Sequence, residues 1–193
     1  GCIMKGSWIM KRVLLTVAAL LIPSILMAAP ATVGVYFDGS LAYNPPGVGV
    51  PFVGALYIVQ NEYYVTGVEY SLQTPNDPAH AQFIITGYSY PPNHSLTLGD
   101  AFNGHSVTYW PPLTGYPTGY DLLVTYECRV LAPCDAMWDY PIVIGPDPGS
   151  GYLRGTYSPD NDFFDIIGLT SVLCPMEFGT EESSWGAIKS MME

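Results

Sequence analysis

The segment Trp110-Pro111-Pro112-Leu113-Thr114-Gly115-Tyr116-Pro117-Thr118-Gly119-Tyr120 holds the most suggestive chemistry in the chain. Three prolines stiffen it, and Trp110, Tyr116 and Tyr120 supply flat rings with a polar edge. Such rings stack on sugars or anchor a protein partner, and loops are where such groups gather. Ser89-Tyr90-Pro91-Pro92-Asn93-His94 offers Tyr90 as a second aromatic wall. The alternative is that both loops fold over the end of a domain and bury their rings, since aromatic side chains pack more often than they bind. The expected ligand-binding set is therefore Trp110, Tyr116, Tyr120 and Tyr90.

Asp160-Asn161-Asp162-Phe163-Phe164-Asp165 is the densest acidic cluster. Clustered oxygen ligands suit Ca²⁺, which makes Asp160, Asp162 and Asp165 the candidate metal ligands. The EF-hand spacing fails, because Phe164 occupies a ligand position and no Gly follows at the turn. The plainer reading is a solvated turn whose Asp and Asn side chains bond local backbone. No other cofactor is expected.

Catalytic patterns are missing from the sequence. No Gly-x-Ser-x-Gly occurs, and His80, His94 and His105 stand in polar, loop-like stretches that read as surface. The 17 acidic residues make many carboxylate pairs, but sequence does not set the separation that glycoside hydrolysis requires. No acid–base constellation is recognisable, so an enzyme is the third choice behind two non-catalytic readings.

The chain has four cysteines, Cys2, Cys128, Cys134 and Cys174. Met10-Lys11-Arg12, the apolar run 13–22, the break at Pro23-Ser24 and the small residues Ala28-Ala29 together predict a signal peptide over 10–28. Residues 1–9 read as an upstream extension. The apolar run stops well short of the roughly 20 residues of a membrane span, so no span is expected after cleavage. Export takes Cys2 away and leaves three cysteines in an oxidising compartment. Alternation from Asp121 to Cys128 sets Leu122, Val124, Tyr126 and Cys128 on one apolar face, so Cys128 reads as a buried thiol. Cys134 follows the breaker Ala132-Pro133, and Cys174 ends the last apolar run. Those two are the better disulfide pair.

Charge narrows the partners. Lys and Arg number 6 against 17 Asp and Glu, a net of −11. Without Lys5, Lys11 and Arg12, three basic side chains face 17 acidic ones, a net of −14. Phosphate binding needs clustered Lys and Arg, so a nucleic-acid partner is excluded as a working reading.

The elements that must position these residues are short and β-rich. Candidate strands are 32–38, 52–61, 65–74, 81–90, 106–110, 121–131, 140–144, 152–157 and 163–174, with Gly, Pro, Asn and Asp clusters between them. This pattern predicts an all-β, two-sheet antiparallel sandwich of about nine strands over 29–175. Val68, Tyr70 and Leu72 alternate with Gly67, Glu69 and Ser71, as in a strand with one wet face. Residues 52–59 are apolar on both parities and are expected to be covered on both sides. In the tail, 176–193, Trp185, Ile188 and Met192 recur at helical spacing and predict a short amphipathic helix that could dock.

Gly34-Val35-Tyr36-Phe37-Asp38, Ile167-Gly168-Leu169-Thr170-Ser171-Val172-Leu173-Cys174-Pro175 and Trp185-Gly186-Ala187-Ile188-Lys189 resemble segments of a group of secreted bacterial β-sandwich proteins of uncharacterised function. The strand Gly67-Val68-Glu69-Tyr70-Ser71-Leu72 after a long apolar strand is similar to cohesin-like sandwiches. The resemblance implies a cohesin-like or immunoglobulin-like fold and an extracytoplasmic place, secreted or at the cell surface. Fold alone assigns no function. Two functional expectations stand beside each other. One is a module that recognises a glycan or a cell-surface protein through the aromatic loop. The other is a structural or surface-associated component that uses its tail.

Overall fold

The computed structural model describes residues 30–59, 64–75, 82–115, 119–137, 139–160 and 162–175. The signal-peptide and tail-helix expectations fall on 10–28 and 176–193, outside the described residues, as do Tyr116 and His80.

Among the described residues twelve strands form the fold: β1 (Ala31–Phe37), β2 (Ala42–Tyr43), β3 (Phe52–Val59), β4 (Tyr64–Gln73), β5 (Phe83–Ser89) and β6 (His94–Asp100), then β7 (Gly104–Leu113), β8 (Tyr120–Val130), β9 (Tyr140–Gly145), β10 (Arg154–Ser158), β11 (Phe163–Gly168) and β12 (Thr170–Leu173). One layer runs β5-β8-β3-β1. The facing layer runs β6-β7-β4-β10, and the end of β4 continues through β9 to β12 and β2. β11 belongs to both layers. Phe163–Asp165 pair antiparallel with β10, while Ile166–Gly168 pair parallel with β1.

The two layers enclose a core set by alternation. Val33, Val35 and Phe37 of β1, Leu56 and Ile58 of β3 and Val124 and Tyr126 of β8 are buried from one side. Val68, Tyr70 and Leu72 of β4, Val107 and Tyr109 of β7 and Ile142 of β9 are buried from the other. The buried tyrosines bring hydroxyls into this apolar space, and a buried hydroxyl without a partner is costly. They meet across the sandwich. Tyr70 and Tyr126 hydroxyls lie 2.6 Å apart, and Tyr109 donates to the Leu123 carbonyl at 2.9 Å. These bonds fix how the β4-β7 layer sits on β8.

A disulfide closes one end. Cys134, in the short 3₁₀ turn Cys134–Ala136, bonds to Cys174 just after β12, with Cα atoms 5.1 Å apart. Cys128 is a free, buried thiol on β8. Both assignments agree with the sequence reading.

Several expectations change. The run 163–174 is two strands, because the chain passes from β1's flank to β9 around Leu169. β2 and β6 add to the expected nine. β3 is half-buried, not covered on both sides: Val53 is 58% exposed and Val59 lies on the same open face. His105 is no surface loop residue. It lies fully buried on β7, and His94 opens β6.

Candidate functional site

The layer β6-β7-β4-β10-β11 presents a largely uncovered outer face, and register dictates which side chains stand on it. Directly opposed residues share a face in a β-ladder. Leu96 opposes Thr108 and Leu98 opposes Ser106 across β6 and β7. Thr108 opposes Gly67 and Ser106 opposes Glu69 on β4. Gly67 in turn opposes Thr156, and Glu69 opposes Arg154, on β10. Thr156 and Arg154 oppose Phe163 and Asp165 on β11. One continuous row thus runs Leu96-Thr108-Gly67-Thr156-Phe163, and a second runs Leu98-Ser106-Glu69-Arg154-Asp165.

Both ends of the first row are apolar and open. Leu98 is 60% exposed, Phe163 is 61% exposed, and Leu96 and Tyr152 are similarly uncovered. Leu96 and Leu98 on β6 and Phe163 on β11 stand at the two edges of the face, so the apolar groups flank a polar centre and do not form one continuous patch. The centre is polar and held in place. The Arg154 guanidinium lies over the rings of Phe163 and Tyr152, 4.0 and 4.5 Å from their centroids. Its Nε donates to a Glu69 carboxylate oxygen at 2.8 Å. Stacking between rings and a paired carboxylate together limit the rotamers of this arginine. Gly67 leaves a dimple of about 140 Å³ bordered by Thr108, Thr156 and Phe163. The volume suits one inserted side chain.

Trp110 joins this face. The β7 strand extends through Trp110 to Leu113, where a loop was expected, and its alternation aims Trp110 outward with Ser106 and Thr108. The ring is 73% exposed. The other predicted aromatics are elsewhere. Tyr120 begins β8 in the opposite layer, where its ring meets Tyr57 edge-on at 5.5 Å. Tyr90 is half-buried, stacked on His94 at 4.2 Å, with its hydroxyl 3.3 Å from His105 Nε2. Tyr116 lies outside the described residues. Trp110 and the 89–94 segment are joined by two hydrogen bonds, Trp110 N–H to the Asn93 carbonyl at 2.7 Å and Asn93 Nδ2 to the Pro111 carbonyl at 2.9 Å. The Tyr90 ring turns inward to His105, and Tyr120 stands in the opposite layer.

The acidic cluster also separates. Asp160, Asp162 and Asp165 are exposed, and among the described residues no three His, Cys, Asp or Glu side chains converge to hold a metal ion. Alternation explains this: Asp165 sits within β11 beside Arg154, whereas Asp160 lies in the turn before it.

His105 is held inside the core. Its Nδ1 is 2.7 Å from the Tyr70 hydroxyl, and its Nε2 faces Tyr90. Burial holds its pKa down at about 4 from the ordinary 6.5, against a smaller upward pull from Asp100. A buried imidazole committed to two tyrosines is a structural group.

Sequence reasoning missed Leu96, Leu98, Tyr152, Arg154 and Phe163. A signal was present in His94-Ser95-Leu96-Thr97-Leu98, which alternates as a strand does. Alternation says that the two leucines share a face. It does not say that the face is the outer one.

No protein-family model and no curated protein sequence matches the chain. Among solved structures it is similar to the third ScaB cohesin of R. flavefaciens, solved in complex with a group 1 dockerin. The TM-score is 0.51 at 11% identity, covering 76% of this chain and 95% of that one. A cohesin module from a family 33 glycoside hydrolase of Clostridium perfringens gives 0.49 at 11% identity, covering 76% and 98%. A non-cellulosomal cohesin from the hyperthermophilic archaeon Archaeoglobus fulgidus gives 0.47 at 12%, covering 75% and 91%. The fold is a cohesin-like β-sandwich.

Proposed function

We propose that the protein is a non-catalytic, extracytoplasmic binding module that docks a folded protein partner on the outer face of β6-β7-β4-β10-β11. The observation that carries the reading is the set of open apolar residues on one face, Leu96, Leu98, Phe163 and Trp110, about the fixed Arg154–Glu69 pair. Aromatic and arginine side chains are favoured interface anchors, and Trp110, Phe163 and Arg154 supply both kinds on this face. A dimple floored by Gly67 gives the partner a place to insert a side chain. Fold analogy points the same way, since the R. flavefaciens cohesin was solved with a dockerin protein. The Cys134–Cys174 bond supports an oxidising, extracytoplasmic place.

The test is affinity capture from the secreted proteins of the source organism, with wild type and two face variants compared side by side. Leu98→Glu and Trp110→Ala change exposed side chains, so the melting temperature should hardly move. The expected result is a protein retained by wild type and lost from both variants, but retained by Val53→Glu on the opposite layer. Capture that is indifferent to Leu98 and Trp110, or no capture at all, refutes the reading. A wild-type dimer that Leu98→Glu dissociates would identify a second copy as the occupant instead.

A further inference from the structure

The opposite layer carries its own groove, and its lining differs in kind from the docking face. Tyr36, Tyr57 and Tyr120 stand on β1, β3 and β8, three adjacent strands, and form a diagonal row on the outer side. Tyr36 and Tyr57 centroids are 5.8 Å apart at 74°, and Tyr57 and Tyr120 are 5.5 Å apart at 88°. Tyr57 is thus nearly perpendicular to both neighbours. Two adjoining clefts open along the row, of about 490 Å³ and 300 Å³, and they share Tyr36, Gly39 and Tyr57. Together they reach the size range of small-ligand sites.

Chemistry selects the occupant. Among the described residues, the one charged side chain lining either cleft is Asp38, held in the β1–β2 turn with φ 49° beside Gly39 at φ 77°. Among the described residues no Lys or Arg lines the groove, and the chain carries a net −11, which disfavours an anionic ligand. Ring faces want an apolar, flat surface, while Asp38 and the phenols want hydroxyl donors and acceptors. A proline-rich peptide also suits aromatic grooves, yet proline has no N–H to give to Asp38. A folded protein would need about 800 Å² per side, more than a narrow groove offers. A pyranose chain meets both demands, with its C–H face on the rings and its hydroxyls toward Asp38.

We infer that the Tyr36–Tyr57–Tyr120 groove binds a neutral oligosaccharide, with Asp38 as hydrogen-bond acceptor. The site is independent of the protein-docking face and stands whether or not that reading holds. Affinity electrophoresis of the full chain, in gels holding a neutral glucan, mannan or xylan, with polygalacturonate as the acidic control, tests it. At least one neutral polymer should retard wild type, and polygalacturonate should not. Tyr120→Ala removes a ring that is 48% exposed and should weaken retardation about tenfold with the fold intact. Asp38→Asn should weaken it while leaving melting unchanged, and Leu98→Glu on the other layer should leave it alone. Absence of retardation by all three neutral polymers overturns the inference, as does retardation that survives both Tyr120→Ala and Asp38→Asn. Equal retardation by polygalacturonate, or displacement of the glycan by a proline-rich peptide at tighter affinity, also overturns it.

Discussion

Lowering the pH should destabilise this sandwich through His105, before most carboxylates titrate. The imidazole sits in the core, with Tyr70 at Nδ1 and Tyr90 at Nε2, and with Tyr88 packed edge-on at 5.5 Å. Asp100 and His94 are the charged or titratable groups whose fields reach it, and they oppose each other. A neutral ring with its proton on Nε2 satisfies the network, since Tyr70 can then donate to Nδ1 and accept from Tyr126. A folded-state value of about 4 against 6.5 means that the unfolded chain binds the proton more readily. Stability is therefore complete above about pH 6.5 and drains away as pH falls toward 4, by roughly 3 kcal/mol in total. Urea denaturation at a series of pH values, for wild type and His105→Gln, isolates this effect because every other titrating group is common to both. Wild type should lose about 2–3 kcal/mol more than the variant between pH 7 and pH 4. In the folded protein, the His105 ring resonances should stay those of a neutral imidazole to below pH 5. Identical pH slopes for the two proteins, or a His105 that titrates near 6.5, would refute the reasoning.

Reducing Cys134–Cys174 frees a loop of 40 residues and should lower stability by about 3–4 kcal/mol in urea, while Cys128, its thiol pushed up to about 12 by burial, should stay unreactive to alkylation until the protein unfolds. Labelling of Cys128 at the native-state rate of an exposed thiol would contradict its place on β8. Gly168→Ala should cost about 1–3 kcal/mol or more, because the new Cβ would run into the Ile144 carbonyl on β9, and a thermal midpoint equal to wild type would show that β11 and β9 can part without penalty.

Sequence alone determined the parts of this protein that depend on short-range pattern. Alternation placed Val68, Tyr70 and Leu72 of β4 and Val124, Tyr126 and Cys128 of β8 inward, because residues i and i+2 of a strand share a face. Leu122 is a correction: a β-bulge beside it turns Leu123 into the core and sets Leu122 opposite Tyr57 on the outer face. The same alternation hid Cys128, and the breaker before Cys134 left it free to reach Cys174. Proline content misled in one place: Trp110-Pro111-Pro112 looked like loop, yet prolines are tolerated where a strand's N–H groups need no ladder partner, and β7 runs on to Leu113. Tertiary structure decided everything that depends on which layer covers which face. His105 is polar by type and buried because Tyr70 of β4, 35 residues away, and Tyr90, just past β5 and 15 residues away, both reach it, a pairing that no local pattern encodes. Leu96 and Leu98 are apolar by type and exposed because their register on β7 places them opposite Thr108 and Ser106. Tyr36, Tyr57 and Tyr120 are scattered along the chain and form one groove only because β1, β3 and β8 lie side by side. A strand's period is a property of its own backbone, whereas the identity of its neighbours is a property of the whole chain, and both candidate binding faces are made of neighbours.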